Sequence, residues 1–274
     1  MATLTAPFVD RMEQPRGQSG SPLARAIDRW IYVFTAASFI AIALAGFIPD
    51  SIAKIAAVQS GERPPFPLVL HMHAVLMGSF LLVLLAQTTL MATGRSTQHR
   101  RLGIAGMAIG AALVVVGFVL APTMYHLAWN AAQAATPETR EELQQAIFGR
   151  DNIMLLQLRI GILFPLFLFI GARARGKDAG LHKRMMILAT VVALPAGIDR
   201  ISWLPTTLPA SPLATDLYTL LAVSPMFIWD VVRNRAVHKA YWIWLAIALP
   251  FTLAVHGLWD TPWWQSIAPR LMGV

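Results

Sequence analysis

The sequence predicts an all-α protein: a polytopic membrane helical bundle of about seven transmembrane helices, with the N-terminus in the cytoplasm and the C-terminus outside. The 274 residues are 56% hydrophobic and only 13% charged, which is too apolar for a soluble domain of this length. Seven apolar stretches are each long enough to cross about 30 Å of hydrocarbon as a helix. Basic residues cluster between these stretches, as membrane topology requires.

The apolar stretches set the predicted spans and the domain boundaries. The spans cover residues 30–48, 67–92, 102–126, 153–172, 185–204, 213–232 and 240–258. The fifth is the weakest, because it contains Pro195 and two charged residues. Residues 1–28 are polar and rich in Pro, Gly and Ser, which predicts a disordered cytoplasmic tail. Residues 29–260 form the predicted transmembrane domain, and residues 261–274 a C-terminal tail outside.

The long loop between the third and fourth spans contains the sequence "ATPETREELQQAIFGRDN". Thr136 is a suitable N-cap, Pro137 suits the first helical position, and acidic residues favour the positive end of a helix. Gly149 is suited to end it. We therefore expect a short helix near residues 137–148 that lies at the outer surface.

The orientation follows from the positions of the basic residues. Most of the 22 Lys and Arg residues lie in the N-terminal segment and in the three loops on its side. Basic residues mark the cytoplasmic side, so the N-terminus is predicted to lie inside and the chain to occupy a bacterial inner membrane. The net charge of +8 is explained by this topology, and no nucleic-acid partner is expected.

Several kinds of chemistry are excluded or unsupported by the sequence. The chain has no cysteine, which rules out disulfides, thiolate metal sites, iron–sulfur clusters and covalent c-type haem. No Walker, dinucleotide-binding, HExxH or Gly-x-Ser-x-Gly pattern is present. No span has a lysine at its centre, which argues against a retinal Schiff base. The sequence does not decide whether the protein is an enzyme.

Three predicted inner loops repeat one pattern of arginines followed by His and then Arg or Lys. Their sequences are "GRSTQHRRLG", "ARGKDAGLHKRMM" and "RNRAVHKAYW". The favoured interpretation is that these residues hold the helix ends against anionic lipid headgroups. The alternative is a cytoplasmic site for an anionic ligand or a partner protein. The residues concerned are His99, Arg100, His182, Lys183 and His238.

A second set of polar residues is predicted to gather towards the outer leaflet. Ionisable groups inside a bilayer are costly and normally face the bundle interior or water. Arg159 lies well inside the fourth span and needs an acidic partner, for which Asp199 and Asp151 are the expected candidates. Helical spacing places His73, Met77, Phe80, Leu84 and Gln87 on one stripe of the second span. The predicted pocket comprises His71, His73, Gln87, His126, Asp151, Asn152, Arg159, Asp199, Arg200 and His256.

Three interpretations of this pocket are open. In the first, the polar groups only cap helices and meet water at the interface. In the second, which is the leading functional interpretation, the protein is redox-associated and binds b-type haem or a metal such as copper or iron. In the third, the pocket takes a small hydrophobic, anionic or quinone-like molecule, as in a transporter, a sensor or a quinone-linked enzyme. The alternative to a redox function is a non-redox small-molecule transporter or sensor, or an accessory subunit of a membrane complex.

The second interpretation assigns roles to particular residues. Axial haem ligands would come from imidazoles, and arginines would pair with the propionates. His71 and His73 together would suit a metal such as copper. The haem assignment rests on His73, His126, His256, Arg159 and Arg200.

Two segments of the chain resemble a known group of proteins. Gln87 is followed by "GRSTQHRRLG", and the later segment "LHKRMMILATVVALPAGIDR" runs from a His-Lys-Arg-x-Met start to an arginine. In this arrangement the chain resembles a family of uncharacterised bacterial multi-pass membrane proteins over residues 67–240. The resemblance to b561-type haem cytochromes is looser. The family resemblance implies no reaction, but it adds weight to His73, Gln87, His99, His182 and Arg200.

Overall fold

The structure, a computed structural model, describes residues 21–274, and within them it is all-helical. The helices in chain order are α1 (Pro22–Gln59), α2 (Leu68–Ala92), α3 (Ser96–Gln133), α4 (Pro137–Ala174), α5 (Ala179–Val191), α6 (Pro195–Ile198), α7 (Leu213–Asn234), α8 (Lys239–Leu258) and α9 (Pro262–Leu271). Seven segments are long and apolar enough to cross a membrane, with α5 and α6 together forming the fifth. The predicted seven-span helical bundle is confirmed.

The helix ends and the loops between them form two opposite ends of the bundle. We call the end that holds the first turn of α1 and the α2–α3, α4–α5 and α7–α8 loops the inner end, following the predicted orientation, and the opposite end the outer end. Helices α1, α3 and α4 each contain 38 residues. A helix of that length is about 57 Å long, nearly twice the hydrocarbon thickness. These three helices therefore extend beyond the bilayer.

Three expectations about the segments outside the spans need correction. Residues 22–28, assigned to the tail, form the start of α1, while residues 1–20 lie outside the described residues. The outer helix expected near 137–148 is not separate, because α4 continues unbroken through Gly149 to Ala174. With no proline between Pro137 at its first position and Pro165, continuing the helix satisfies every backbone group in turn. The C-terminal segment forms α9, which Thr261 caps by accepting a hydrogen bond from the Trp264 amide.

The fifth span is the most enclosed of the seven. In its most apolar stretch, 67% of the residues are buried, a larger share than in any other span of the described chain. Met185, Leu188 and Val191 are 0–1% exposed and lie in the main core cluster. A helix surrounded by protein needs less hydrophobicity than one that faces lipid. This explains why the fifth span was the weakest in the sequence.

The fifth span bends where it meets α1. The helix breaks at residues 192–194 and resumes at Pro195 as the short helix α6. There Gly46 of α1 approaches Gly197 so closely that a Cβ at position 46 would lie 2.0 Å from the Gly197 carbonyl oxygen. Only glycine at position 46 allows the two backbones to meet in this way.

Helices α7 and α8 are consecutive but face different neighbours. Helix α7 packs mainly against α1 and α6, whereas α8 packs mainly against α4 and α5. A groove remains between α7 and α8, with α4 and α5 behind it. This lateral groove positions the candidate site.

Candidate functional site: a polar cluster at the end of a lateral groove

Four side chains from three helices form a hydrogen-bonded cluster near the outer end of α7 and α8. Arg159 of α4 donates two hydrogen bonds to the Asp216 carboxylate, Nη2 to Oδ1 at 2.7 Å and Nη1 to Oδ2 at 3.2 Å. Its Nη1 also lies 3.3 Å from the Thr252 hydroxyl. His256 Nε2 lies 3.0 Å from Asp216 Oδ2. We call Arg159, Asp216, Thr252 and His256 the outer polar cluster.

The ion pair between Arg159 and Asp216 is largely shielded from solvent. The Arg159 side chain is 6% exposed and that of Asp216 is 17% exposed. A forked pair of this kind is both strong and directional, because two parallel N–H groups meet two carboxylate oxygens. The imidazole adds a third contact to the same carboxylate. Asp216 is thus the centre of the cluster.

The expected partner of Arg159 was wrong. Asp199 and Asp151 were the candidates, but the structure pairs Arg159 with Asp216. Asp216 was missed, although a carboxylate within a predicted transmembrane span is itself a signal of function. Arg159 and His256, which the sequence places in one predicted pocket, both contact Asp216.

The lateral groove runs from this cluster along α7 and α8. It encloses a cavity of about 130 Å³ lined by Arg159, Asp216 and Thr252 at one end and by apolar side chains elsewhere. Leu220, Leu245 and Leu249 line it and are 42–49% exposed, so the groove opens on the surface that faces lipid. Trp244, also in the lining, donates a hydrogen bond from its indole nitrogen to the Leu188 carbonyl at 3.3 Å. The groove thus joins an apolar entrance to a polar end.

Asp151 and Asn152 lie elsewhere and attach α9 to α4. The buried Asp151 carboxylate accepts a hydrogen bond from the Tyr125 hydroxyl at 2.8 Å, and its backbone carbonyl accepts one from the Trp264 indole at 2.7 Å. Asn152 Oδ1 accepts from the Asp260 amide at 3.0 Å. These residues do not line the lateral groove. Their contacts join α3, α4 and the start of α9 at the outer end.

Asp199 and Arg200 also lie apart from the outer polar cluster. Arg200 contacts Asp199 at 2.8 Å and Asp50 of α1 at 3.4 Å, and its guanidinium lies over the Phe47 ring. Asp50 is shared with Lys54, at 2.6 Å. This charged group links α1 to the end of the fifth span.

The histidines assigned to haem or metal do not converge. His126 Nε2 lies 2.8 Å from the Met272 carbonyl, and His256 Nε2 contacts Asp216. His71 is exposed, with its ring edge-on to Phe66. Within residues 21–274, no group of three or more His, Cys, Asp or Glu side chains is placed to hold a metal ion. The predicted haem or metal site gains no support from this geometry.

The predicted stripe on α2 does face inward. Phe80 and Leu84 are buried in the main core, and Phe80 packs edge-on against Phe164 of α4. At its two ends, His73 Nδ1 and Gln87 Oε1 are buried without a hydrogen-bond partner among the described residues. Gln87 lies beside Gly103 of α3, where a Cβ would come within 3.1 Å of its amide nitrogen.

The predicted inner-loop residues have separate contacts. His182 Nδ1 lies 2.7 Å from the Gly171 carbonyl at the end of α4, and its ring stands edge-on to that of His99. Lys183 lies over the Tyr32 ring, with its nitrogen 4.9 Å from the ring centroid. Arg100 is exposed, and its backbone carbonyl accepts a hydrogen bond from Arg175 at 3.1 Å. These contacts tie α1, α3, α4 and α5 together at the inner end.

A second buried ion pair at the inner end was missed by the sequence analysis. The Arg184 guanidinium, 2% exposed, donates to both carboxylate oxygens of Asp230, with Nη2 to Oδ1 at 2.7 Å. Asp230 also accepts from the Tyr241 hydroxyl at 2.7 Å. Arg184 Nη1 donates to the Gly180 carbonyl at 2.9 Å. The pair connects the start of α5 with α7 and α8.

The inner ends of α5 and α8 are joined by Asp178, which caps α5 by accepting from the Leu181 amide at 2.8 Å. Burial alone would raise the pKa of the Asp178 carboxyl, but hydrogen bonds from Lys239 and the Leu181 amide bring that pKa below its usual value. Lys239 begins α8, and its ammonium forms a salt bridge with Asp178. The carboxylate therefore stays charged and serves both helices.

His238, which the loop pattern groups with the basic residues of the inner loops, lies at the start of α8. Its Nδ1 accepts a hydrogen bond from the Ala240 amide at 3.1 Å and so caps α8, which requires an unprotonated nitrogen. Burial, followed by the nearby Arg184 charge, lowers the pKa of His238 to about 4, although Asp230 and Asp178 act in the opposite direction. The imidazole is therefore neutral at pH 7.

Because the pKa of His238 is lowered, protein stability depends on pH in the direction opposite to that of a histidine paired with a carboxylate. Between about pH 6.5 and pH 4 the unfolded chain binds a proton at His238 that the folded chain excludes, so stability should fall as the pH is lowered through this window. His238→Asn keeps a capping acceptor and removes the titration, so it should make this fall shallower. The measurement is denaturant unfolding between pH 7.5 and 4.5.

The control for this experiment is His238→Ala. It removes both the cap and the titration, so it should lower stability at every pH and also make the fall shallower. A His238→Asn protein with the full pH dependence of the wild type would contradict the assignment.

The fold and the site define a class of protein: a multi-pass integral membrane protein of seven helical spans, in contact with the lipid bilayer. No protein-family model, curated protein or solved structure matches the chain. Its function therefore has to be argued from the site.

Proposed function

We propose that this protein binds a small lipid-soluble molecule whose polar head enters the lateral groove, as a membrane carrier, sensor or quinone-linked component would. One observation carries the proposal. The buried Arg159 pairs with the half-buried Asp216, which His256 also contacts, at the end of an apolar groove that opens to lipid between two consecutive helices. Convergent polar groups at the end of an apolar cavity are typical of ligand sites.

The chemistry of the groove indicates the kind of ligand. Its apolar lining suits a hydrocarbon or isoprenoid chain that reaches the site from the bilayer. Arg159 and Thr252 at its polar end offer donors for a carbonyl or carboxylate head. His256 contacts the same carboxylate, with its Nε2 3.0 Å from Asp216 Oδ2. A quinone-like head group fits these donors.

The protein's location and its relationship to other proteins are part of the proposed function. We place the protein in a bacterial inner membrane because basic residues gather at the inner end. Relationship to the uncharacterised multi-pass membrane family remains a prediction from the motifs in residues 67–240. The redox interpretation is retained in the quinone-linked form, in which electrons are carried by the ligand. A stable partnership with other membrane subunits also remains a prediction.

The test uses the purified protein in lipid nanodiscs and a radiolabelled short-chain ubiquinone. Binding to the wild-type protein should saturate. Ala248→Phe places a ring in the groove from the buried face of α8 and should abolish saturable binding. Leu253→Phe adds the same ring on the lipid-facing side of α8 and should leave binding unchanged. The thermal unfolding of each variant shows whether it is folded.

A second variant keeps the test decisive if Ala248→Phe fails to fold. Arg159→Lys retains the charge but loses the fork, and it should weaken binding by about tenfold, the size of one charge-assisted hydrogen bond. Saturable binding that survives both changes would overturn the proposal. An absorption spectrum of the same sample tests the haem alternative, for which a Soret band in the purified protein would be the supporting result.

A further inference from the structure

The charges at the polar end of the lateral groove bear on the kind of ligand head that it accepts. Among the described residues that line the groove, Arg159 is the one cation and Asp216 the one anion, so the charges of the lining sum to zero. The two groups are in direct contact, because Arg159 Nη2 lies 2.7 Å from Asp216 Oδ1 and Nη1 lies 3.2 Å from Oδ2. A ligand head that approaches one of these charges therefore approaches the other as well.

A charged head would gain little from this ion pair. An anionic head beside the guanidinium would also face the Asp216 carboxylate, and a cationic head beside the carboxylate would also face Arg159. Attraction and repulsion then largely cancel, whereas the free-energy cost of removing the charged head from water remains. An uncharged head avoids that cost. The charge balance of the lining therefore favours a neutral ligand.

The two threonines that line the groove differ in whether their hydroxyl protons are already used. Thr219 donates its proton to the Thr215 carbonyl at 2.8 Å. The Thr252 hydroxyl oxygen accepts a hydrogen bond from Arg159 Nη1 at 3.3 Å. Among residues 21–274, no group accepts the Thr252 proton. Thr252 is thus a hydroxyl donor of the lining that is still available to a ligand.

The orientation of the Thr252 hydroxyl differs from that of threonines in other spans. A threonine inside a helix often donates to a backbone carbonyl one turn earlier. Thr35, Thr123 and Thr190 do so, at 2.8, 2.7 and 3.0 Å to the carbonyl four residues before each. Thr252 instead contacts Arg159 at the polar end of the groove. Its oxygen is held by the arginine, and its proton is left for an acceptor atom outside the chain.

On the basis of the proposed function, we infer that the lateral groove selects an uncharged head group with a hydrogen-bond acceptor, and that Thr252 donates the hydrogen bond to it. The donors alone allow either a carbonyl or a carboxylate head, and the charge balance decides between them. A quinone or other ketone carbonyl is neutral and accepts a hydrogen bond. A carboxylate accepts one but brings a charge that the lining does not compensate. Thr252 is therefore a specificity-determining residue of the groove.

The first test of this role uses the full chain in nanodiscs and radiolabelled short-chain ubiquinone. Thr252→Val keeps the shape of the side chain and removes the hydroxyl, so it should weaken ubiquinone binding by about fivefold, equivalent to one hydrogen bond between neutral groups. Thr252→Ser retains the donor and should bind within about twofold of the wild type. Thr190→Val makes the same change at a buried threonine that does not line the groove, and it should also bind within about twofold. Thermal unfolding shows whether each variant is folded.

The second test examines the charge of the head in the wild-type protein, so it stays decisive if Thr252→Val fails to fold. Two competitors share one ring system and one alkyl chain: an alkylated hydroxynaphthoquinone and its methyl ether. In mildly alkaline buffer the hydroxyquinone is an anion and the ether is neutral, while imidazoles are uncharged. The ether should displace ubiquinone at a concentration about tenfold lower than the anion does, a difference of about 1.4 kcal/mol.

The outcomes separate this role of Thr252 from the proposed function itself. A wild-type protein without saturable ubiquinone binding would overturn both. Saturable binding that Thr252→Val leaves unchanged, or that Thr190→Val weakens equally, would overturn the role of Thr252 and leave the proposed function standing. Equal displacement by the two quinones would overturn the selection of an uncharged head in the same way.

Discussion

Replacing Arg184 by leucine should destabilise the protein by about 3–5 kcal/mol, the range for breaking a buried ion pair by removing one partner. The Asp230 carboxylate is 7% exposed and accepts hydrogen bonds from the Arg184 and Tyr241 side chains. The substitution removes the arginine and leaves the Tyr241 hydroxyl. It also removes the hydrogen bond to the Gly180 carbonyl that steadies the start of α5. The measurement is unfolding in a denaturing detergent titration, followed by circular dichroism.

Two companion variants make the result specific. Arg173→Leu removes an exposed arginine from the same end of the bundle and should change stability by less than about 1 kcal/mol. Arg184→Leu/Asp230→Leu removes both charges, and it should be more stable than Arg184→Leu alone because no charge is left buried and unpaired. A single Arg184→Leu variant as stable as the wild type would show that the pair does not hold α5 to α7.

The span architecture could be predicted because it depends on properties that are local in sequence. Helices α2, α7 and α8 begin and end within a few residues of the predicted spans, since apolar length alone sets what crosses the bilayer. The extent of α4 could not be predicted in this way. Its outer turns are polar, and only the continuity of its backbone hydrogen bonds joins them to the span.

The site was predicted in part, for a related reason. Arg159 and His256 were recognised because an ionisable side chain in an apolar span is conspicuous. Their partner, Asp216, depends on how α4, α7 and α8 face one another, which no periodicity within a single helix determines. His238 shows the same limit, because its role as a neutral cap follows from its burial between helices and, after that, from the nearby Arg184 charge.

The fifth span illustrates how environment changes the meaning of composition. Its polar and proline residues made it appear a poor transmembrane helix, yet the structure places it at the centre of the bundle. Lipid contact requires hydrophobicity, whereas contact with other helices requires only complementary packing. The two buried ion pairs, on Arg159 and Arg184, occur on the helices that share this interior. The least apolar parts of the spans are therefore the parts that contact other helices inside the bundle.

The Arg159–Asp216 pair should show the second large effect, and a double-mutant cycle isolates it. Arg159→Leu should destabilise the protein by about 3 kcal/mol, at the low end for a buried pair because Asp216 is 17% exposed. Arg159→Lys should recover part of this loss, since a lysine keeps the charge and loses the fork. Combined with Asp216→Asn, Arg159→Leu should show a coupling energy of about 1–3 kcal/mol in detergent unfolding.

The same cycle discriminates between the structure and the expectation from sequence. Arg159→Leu combined with Asp151→Asn or with Asp199→Asn should be additive within about 0.5 kcal/mol, because those carboxylates contact Tyr125 and Arg200 instead. A larger coupling to either of them than to Asp216 would mean that α4 faces a different neighbour. The lateral groove would then lose its polar end, and with it the basis for placing a ligand head group between α7 and α8.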